Sequence, residues 1–318
     1  MIAQPIHDTS LREHIDGIAQ DGMDIFLLED GQVRGSVVHA TRMVNQMRQN
    51  HNLGIIETLI LGHAYIATAL LTAKIKGGDK IRLLIDCDGP AKGLSVESRA
   101  TGQVRGYLHR VPIPVEAPPE SFDLAPFIGG GSLSVTKELE VAKHPFTGEI
   151  ALEEGSIARD LARYFLYSEQ THTAFNLSVK FDTEGRVIGA GGIFLQALPG
   201  ADEETLSTVE DTLRELPSLG ESFAEGRTGV TIVKERFREF EPDLIGTRNA
   251  EFYCGCSKER FGRFIGKISM EELKSIREEG PFPLKTTCHN CNSTYTFSKE
   301  EIEEIYRERV RGESESSE

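Results

Sequence analysis

The C-terminal part of the chain contains the sequence Cys254-Gly-Cys256-Ser-Lys-Glu-Arg260, and after 31 intervening residues from Cys256 it continues with Cys288-His-Asn-Cys291. These two clusters contain four of the five cysteines in the 318-residue chain. A segment as short as 249–318 buries little surface by itself, so a metal ion would supply the missing stability. Four thiolates form a closed tetrahedral zinc site with no position open for catalysis. We therefore predict that Cys254, Cys256, Cys288 and Cys291 bind one Zn²⁺, with His289 as an alternative ligand.

The spacing of the first cluster is also relevant to redox chemistry. Cys254 and Cys256 are separated by a single glycine, which is tighter than the usual gap between zinc ligands. A disulfide across such a gap closes a small, strained ring, so it would be relatively oxidising and reversible. The spacing alone favours a structural zinc site, but it leaves open a site that also acts as a redox switch. Nearby basic residues are expected to offset the charge of the thiolates: Lys258, Arg260, Arg263 and Lys285.

The fifth cysteine, Cys87, stands alone before the turn sequence Asp88-Gly-Pro90. A nucleophilic role would require a neighbouring base such as His63 or His109. The sequence places neither of them close to it, so Cys87 is predicted to be an unreactive buried residue.

The overall charge argues against binding to nucleic acids. The chain has 35 basic and 50 acidic residues and a net charge of −15, whereas affinity for phosphate backbones depends on lysine and arginine. The N-terminus has no basic region followed by an apolar stretch, so no secretory signal is expected. The apolar segment 59–71 is short and includes His63, which predicts a buried core helix rather than a membrane span. We therefore expect the protein in a reducing cytoplasm, where paired cysteines indicate metal or redox chemistry rather than a framework of disulfides.

The first two hundred residues alternate between strand-like and helix-like patterns. A hairpin is predicted at 24–29 and 33–38, around Asp30-Gly31. Helices are predicted at 57–74 and 156–168. Further strands are predicted at 80–86, 94–98, 104–108, 133–135, 174–181 and 187–195. Mixed strands with buried helices indicate an α+β core domain over 1–198.

Residues 199–248 are predicted to form an amphipathic helical connector. Between residues 202 and 245 the chain has 5 basic and 12 acidic residues. Two apolar stripes at helical spacing are expected on either side of a loop containing Gly220, Gly226 and Gly229. The ordinary interpretation is a docked pair of helices. The stripe residues are Leu206, Val209, Leu213, Leu216, Val230, Val233, Phe237 and Phe240.

The segment 249–318 is predicted to be a small zinc-binding domain. Ser269-Met-Glu-Glu272 and Ser298-Lys-Glu-Glu301 have the pattern of capping boxes, so a helix is expected after each. The first helix should end at Gly280-Pro281. The acidic tail 312–318 is expected to be disordered.

The chain resembles the bacterial heat-shock protein 33 family of redox-regulated holdase chaperones. That family has the pattern Cys-x-Cys, about thirty residues, then Cys-x-x-Cys. The similarity extends to Tyr295-x-Phe297 and into the first domain. The first-domain blocks are Leu70-Leu-Thr-Ala-Lys74, Asp88-Gly-Pro90, Gly102-Gln-Val-Arg-Gly106, Tyr164-Phe-Leu-Tyr-Ser-Glu-Gln170 and Gly189-Ala-Gly-Gly-Ile-Phe-Leu-Gln196. The acidic tail and a longer connector around 221–228 depart from the family pattern.

The resemblance implies a switch. In the reduced state the four cysteines would bind one Zn²⁺ and the chaperone would be inactive. Oxidation would form Cys254–Cys256 and Cys288–Cys291 disulfides, release the metal and unfold the C-terminal domain. The connector stripes would then bind unfolding client proteins without ATP, and activated members of the family also dimerise.

Two other classes of function remain as alternatives. A zinc ribbon that binds nucleic acid would need a basic surface, but residues 249–318 include 11 basic and 14 acidic residues. A thiol-disulfide oxidoreductase would place Cys288-x-x-Cys291 at the start of a helix after a strand. The strand-like run Thr294-Tyr-Thr-Phe297 follows the motif instead, so a non-enzymatic chaperone is favoured.

Overall fold

The computed structural model describes residues 1–115 and 121–315, which form two compact units. One unit is Gln4–Tyr253, and the other combines Met1–Ala3 with Cys254–Glu318. Helices and mainly antiparallel sheets make up the larger unit, so the predicted α+β class is confirmed. The predicted division into a core domain over 1–198, a connector over 199–248 and a zinc-binding domain over 249–318 stays a prediction.

The first sheet of the larger unit has five antiparallel strands. In spatial order they are β10 (Asp243–Arg248), β1 (Gly22–Leu28), β2 (Val33–His39), β9 (Val187–Ala197) and β8 (Thr173–Phe181). The predicted hairpin is confirmed, since β1 pairs with β2 and Asp24 lies opposite Val37. Asp30 and Gly31 in its turn have φ angles of 48° and 88°, the left-handed conformation that Asp tolerates and Gly favours.

The second sheet has six strands. They are β11 (Glu251–Phe252), β5 (Gln103–Leu108), β4 (Gly93–Arg99), β3 (Lys80–Cys87), β6 (Gly131–Glu138) and β7 (Phe146–Ala151). All neighbours are antiparallel except β11, which runs parallel to β5. The sequence predicted β3 to β6, but it missed β7, β10 and β11. These three lie at sheet edges, where one neighbour is absent and the alternation of apolar residues is weak.

Five helices complete the core of the larger unit: α1 (Thr9–Gly17), α2 (Thr41–His51), α3 (Ile55–Leu71), α4 (Ala125–Ile128) and α5 (Ile157–Ser168). The helices predicted at 57–74 and 156–168 are confirmed as α3 and α5. Ile55–Lys74 is long and apolar enough to cross a membrane, but 83% of its apolar 18-residue segment is buried inside the protein. Its residues pack against strands of both sheets, as expected for a core helix.

Three connector helices follow: α6 (Glu203–Arg214), α7 (Leu219–Ala224) and α8 (Gly229–Arg236). A Cβ built on Gly191 of β9 would lie 2.2 Å from Phe223 of α7, whereas one on Gly192 would lie 2.7 Å from Ile66 of α3. Because successive strand residues face opposite sides, α7 and α3 cover opposite faces of the five-stranded sheet.

The connector differs from its prediction in one respect. The segment around Gly220 was expected to be a loop, but it forms α7, capped by Ser218, whose Oγ accepts a hydrogen bond from Glu221 N at 3.2 Å. The second stripe is also divided, because α8 ends at Arg236 and a 3₁₀ turn follows at Arg238–Phe240.

The smaller unit contains three helices and a hairpin: α9 (Lys258–Ile265), α10 (Met270–Glu279), β12 (Leu284–Thr287), β13 (Thr294–Phe297) and α11 (Lys299–Glu315). Both predicted capping boxes are confirmed, at Ser269 with Glu272 and at Ser298 with Glu301. The sequence missed α9. The expected disorder from 312 onward is wrong for residues 312–315, which continue α11, and residues 316–318 lie outside the described range.

Candidate metal and redox centre

The two cysteine clusters occupy different local structures. Cys254 and Cys256 lie in the loop that leads into α9. The side chain of Ser257 caps this helix, because its Oγ accepts a hydrogen bond from Arg260 N at 3.1 Å. Cys288 and Cys291 lie in the connection between β12 and β13. One pair is therefore fixed by a helix start and the other by a hairpin.

The hairpin connection is a tight turn built on backbone hydrogen bonds. Cys288 N donates to Ser293 O at 2.9 Å, and Cys288 O accepts from Asn292 N at 2.7 Å and from Cys291 N at 3.3 Å. Asn292 has a φ of 53°, the left-handed conformation that asparagine tolerates better than most residues. The turn thus holds the two cysteines of the second cluster close enough to bind the same metal ion.

All four predicted ligands meet in one place. Their Sγ atoms lie within 4.8 Å of one another, and all four side chains are buried. The Sγ atoms of Cys254 and Cys288 are 3.8 Å apart, and those of Cys256 and Cys291 are 3.3 Å apart. None of these four cysteines forms a disulfide in this structure. The two clusters, which lie far apart in the sequence, therefore form a single centre.

These distances suit a metal ion with four sulfur ligands. A tetrahedral ion with bonds of about 2.3 Å to sulfur places its ligands about 3.8 Å apart. The separation between Cys254 and Cys288 has this value, and the separation between Cys256 and Cys291 is somewhat shorter. The donor set consists of the four cysteines and does not include His289, the alternative ligand. The four-cysteine cluster could hold one metal ion.

Electrostatics also favour a cation at this site. The hydrogen bond with the Cys254 thiol raises the pKa of Cys288 to about 11, and burial contributes further. The pKa of Cys291 is raised as well, first by its contact with Cys254, then by Cys288 and by burial. Four buried sulfurs cannot all become thiolates beside one another unless a positive charge balances them. A divalent cation supplies that charge.

Two hydroxyl groups contact the sulfurs. The Oη of Tyr295 lies 3.3 Å from Cys256 Sγ, and the Oγ of Ser293 lies 3.2 Å from Cys291 Sγ. The N-terminal residues reach the same place, since Met1 N donates to Cys256 O at 2.6 Å and Ile2 N donates to Ser293 Oγ at 2.8 Å. These contacts could not be predicted from the sequence, apart from the family motif that contains Tyr295.

Two of the basic residues expected to offset the sulfur charge are paired with carboxylates instead. Lys258 forms an ion pair with Glu301, and its ammonium lies 5.4 Å from the ring centroid of Phe297. Arg263 pairs with Glu259 at 3.5 Å, one helical turn away on α9. The expectation that their charges act on the sulfurs is wrong to that extent, because neighbouring glutamates already neutralise them.

Cys87 lies at the end of β3 and is partly exposed, so its predicted full burial is wrong. Partial burial raises the pKa of its thiol, which disfavours the reactive thiolate. His109, one of the bases considered for it, has its Nδ1 3.6 Å from an Asp86 carboxylate oxygen. That Cys87 is unreactive stays a prediction.

The connector stripes are buried against the five-stranded sheet. Connector and sheet side chains form one apolar cluster there, and Leu206 packs against it partly buried. The connector residues of the cluster are Val209, Leu213, Leu216, Leu219, Phe223, Ile232, Val233, Phe237 and Phe240. They contact sheet residues that include Phe26, Val37 and Ile193. Val230 was predicted as a stripe member, but it is only half-buried and Ile232 takes its place in the cluster. Leu219 and Phe223 were missed because α7 was expected to be a loop.

Three glycines allow α7 to approach the sheet closely, and we call them the glycine seam: Gly189, Gly191 and Gly220. A Cβ on Gly189 would lie 1.9 Å from Gly220 O, and a Cβ on Gly220 would lie 2.9 Å from Lys180 N. The ring of Phe223 stacks on His39 of β2, with centroids 4.5 Å apart and planes 10° apart. The connector is therefore held by backbone proximity as well as by apolar contacts.

The structural context of Cys288-x-x-Cys291 does not match an oxidoreductase. Such enzymes place the motif where a strand leads into a helix, with one sulfur near the helix start. Here the motif joins two strands of a hairpin, and α11 begins only after β13.

Comparisons with known proteins agree with this architecture. The family described as Hsp33 protein matches residues 21–298. A 33 kDa chaperonin from Desulforamulus reducens is 35% identical over 91% of this chain and 98% of its own length. Another from Ruminiclostridium cellulolyticum is 36% identical, over 88% and 96% respectively. The crystal structure of the 33 kDa chaperonin (heat shock protein 33 homolog) from Thermotoga maritima matches with a TM-score of 0.81 and 30% identity, covering 92% of this chain and all of that one. The chain belongs to the Hsp33 family.

Proposed function

We propose that this protein is a redox-regulated, ATP-independent holdase chaperone that is inactive while its four clustered cysteines are reduced and bind one Zn²⁺. The observation that carries the proposal is the group of four buried sulfurs within 4.8 Å of one another. When bound, Zn²⁺ supplies the positive charge that keeps the sulfurs deprotonated. Thiolates are also the form that oxidants attack, so the group that stabilises the fold is the group that responds to stress.

The switch consists of two disulfide-forming steps. One thiolate sulfur attacks hydrogen peroxide, releases hydroxide and becomes a sulfenic acid. The second sulfur of the pair then displaces the remaining oxygen as hydroxide and closes the disulfide. The pairs Cys254–Cys256 and Cys288–Cys291 together give four electrons to two peroxide molecules. Disulfide formation uses up all four ligands and thereby releases the ion.

Loss of the ligands removes the main support of the smaller unit. Its apolar core is small, with Leu273, Phe297 and Ile302 as its most buried large side chains apart from the cysteines. Structural zinc contributes roughly 10–16 kcal/mol of apparent binding free energy in small modules. Without that contribution the unit unfolds, and the connector that precedes it loses its docked position.

The released connector would bind client proteins. Its stripe residues and the sheet positions that they cover would present apolar surface to unfolding chains. The net charge of −15 would keep the resulting complexes from aggregating with one another. This function needs no catalytic residues, nucleic acid or membrane. It fits a cytoplasmic protein that is able to dimerise when oxidised.

The test follows metal release and chaperone activity in one sample. Zinc-loaded protein is treated with hydrogen peroxide at raised temperature while a chromogenic chelator reports zinc and light scattering reports aggregation of a denatured client. We expect zinc release to precede suppression of aggregation. Release of zinc with unchanged aggregation would rule out the holdase function.

Two controls separate the switch from the binding activity. Reduced, zinc-bound protein should leave aggregation unchanged, and reduction of the oxidised protein with added zinc should restore that state. If the reduced protein suppressed aggregation as well as the oxidised one, the protein would be a chaperone without a redox switch. Tight, salt-sensitive binding to RNA would favour the zinc-ribbon alternative.

A further inference from the structure

We propose that Tyr295 and Ser293 are positioning residues of the sulfur centre, and that each slows oxidation of the cysteine pair that it contacts. The inference rests on the proposed redox function, because it concerns the rate at which that same centre reacts. Each cluster has one sulfur in contact with a side-chain hydroxyl: Cys256 with Tyr295 and Cys291 with Ser293. Both hydroxyls come from the short segment that follows Cys291.

The phenol of Tyr295 is placed to donate to Cys256. Its Oη lies 3.3 Å from Cys256 Sγ and 3.1 Å from Cys256 O. A thiolate carries no proton, so the phenol is the donor in any hydrogen bond between the two groups. The Cys256 carbonyl has a second donor, the Met1 amino group at 2.6 Å. The phenol proton can therefore go to the sulfur without leaving the carbonyl unsatisfied.

The hydroxyl of Ser293 is oriented in a comparable way. Ser293 is fully buried, and its Oγ accepts a hydrogen bond from Ile2 N at 2.8 Å. In the thiol form, Cys291 Sγ donates to this Oγ at 3.2 Å, and the Oγ donates its own proton to Ile2 O at 3.3 Å. Once Cys291 has lost its proton, the sulfur and this carbonyl are both acceptors within reach of the hydroxyl. A charged sulfur attracts the proton more strongly than a carbonyl does. Formation of the thiolate thus directs Ser293 towards Cys291.

A hydrogen bond to a thiolate stabilises its negative charge and lowers its tendency to donate electrons to an oxidant. The same effect from outer-shell groups tunes metal sites and iron–sulfur clusters. Tyr295 should therefore retard reaction of the Cys254–Cys256 pair, and Ser293 should retard reaction of the Cys288–Cys291 pair. The two hydroxyls, which also contact each other, would then set two separate oxidation rates in one centre.

The test uses conservative substitutions that remove only a hydroxyl. Tyr295→Phe keeps the ring, which packs against Phe261 with centroids 5.4 Å apart. Ser293→Ala removes the second hydroxyl. Tyr306→Phe is the matched control, since this tyrosine lies in the same unit with its ring 4.4 Å from the Arg277 guanidinium. Each variant is loaded with one equivalent of Zn²⁺ and treated with excess hydrogen peroxide. Remaining thiols are then quantified by alkylation and mass spectrometry of the separate peptides.

We expect Tyr295→Phe to speed thiol loss at Cys254 and Cys256 about fivefold and to leave the second pair unchanged, as expected for one hydrogen bond. Ser293→Ala should have the opposite selectivity, and Tyr306→Phe should match the unaltered protein. Equal acceleration of both pairs together with a lowered unfolding midpoint would overturn the proposal, because it would indicate general destabilisation. Unchanged rates in both variants would overturn it as well.

A spectroscopic measurement provides a second readout. In protein loaded with Co²⁺, the thiolate-to-metal charge-transfer absorption should move to lower energy in each hydroxyl-deficient variant, because the sulfur holds its electrons less tightly. An unshifted band in both variants would show that the hydroxyls do not act on the sulfurs. These readouts are independent of client binding. A protein that oxidised selectively but failed to suppress aggregation would contradict the proposed function and leave this inference standing.

Discussion

The two compact units of this protein are stabilised in different ways. Gln4–Tyr253 has two sheets, a buried central helix and an extensive apolar core. The unit built from Met1–Ala3 and Cys254–Glu318 has a short hairpin, three helices and few fully buried apolar side chains. Its four cysteine sulfurs lie within 4.8 Å of one another, and all four side chains are buried. The larger unit depends on buried area, which chemistry does not easily change, whereas under the proposed function the smaller unit depends on the oxidation state of four sulfur atoms.

The largest expected effect is removal of the metal site. Cys254→Ser removes one of the four clustered sulfurs, so under the proposed zinc-binding function we expect loss of most of the apparent zinc binding free energy, which is roughly 10–16 kcal/mol in small modules. Hydrogen exchange should show loss of protection in β12, β13 and α11, while β2 and β9 stay protected. Cys87→Ser is the matched control and should keep the metal and the protection pattern. Retention of protection in β12 and β13 without metal would show that the fold of the smaller unit does not depend on the metal.

The second prediction concerns the docked connector. Phe237 is fully buried in the apolar cluster, so Phe237→Ala should cost about 3–5 kcal/mol of docking or folding stability. We expect suppression of client aggregation by the reduced protein, without any oxidant. Val230→Ala is the control, because Val230 is half-buried and lies outside the cluster.

Normal docking in Phe237→Ala, judged by exchange protection of the connector helices α6 and α8, would show that the connector is held by other contacts. Buried apolar area would then not be what keeps the connector in place.

The larger unit also contains a charge cluster with a defined pH dependence. Glu169 contacts Lys74 at 3.3 Å and Lys137 at 2.5 Å, and all three are mostly buried. Burial raises the pKa of Glu169, but the two lysines outweigh it and hold the pKa below its usual value of 4.5. Its contribution to stability is therefore present above pH 4.5 and is lost as the pH falls below that value.

Glu169→Gln should lower the free energy of unfolding of the larger unit by about 3 kcal/mol at neutral pH, because two buried ammonium groups lose their partner. The difference from the unaltered protein should shrink in acid. Urea unfolding at several pH values measures it. A constant difference down to pH 3 would show that the carboxylate does not act through its charge.

Prediction from sequence worked best where the pattern is local. The cysteine spacing identified the four residues whose sulfurs cluster, and helical periodicity identified Val209 and Leu213 in the connector. The partners Tyr295 and Ser293 could not be predicted, because their contacts with Cys256 and Ile2 depend on the folded unit. Val230 was predicted in place of Ile232 because α8 is only eight residues long and a 3₁₀ turn shifts the spacing that follows it.

The missed helix α7 has a different cause. Gly220 suggested a loop because glycine has low helix propensity. In the structure this glycine lets the helix backbone approach β9, where a Cβ on Gly220 would lie 3.0 Å from Gly189 O. A single sequence does not distinguish a glycine needed for a turn from one needed for close packing.

The smallest expected effect tests the glycine seam. A Cβ on Gly191 would lie 2.2 Å from a Phe223 ring carbon and 2.3 Å from Val38 O, and a backbone atom cannot move aside as a side chain can. Gly191→Ala should therefore destabilise connector docking by about 1–3 kcal/mol. Gly246→Ala is the matched control in the same sheet, since a Cβ there meets nothing within 4 Å. We expect Gly191→Ala to require less peroxide for full chaperone activity, with the metal content of the reduced protein unchanged. Equal peroxide requirements in both variants would mean that close backbone packing is unimportant, and that apolar side chains alone keep the connector inactive.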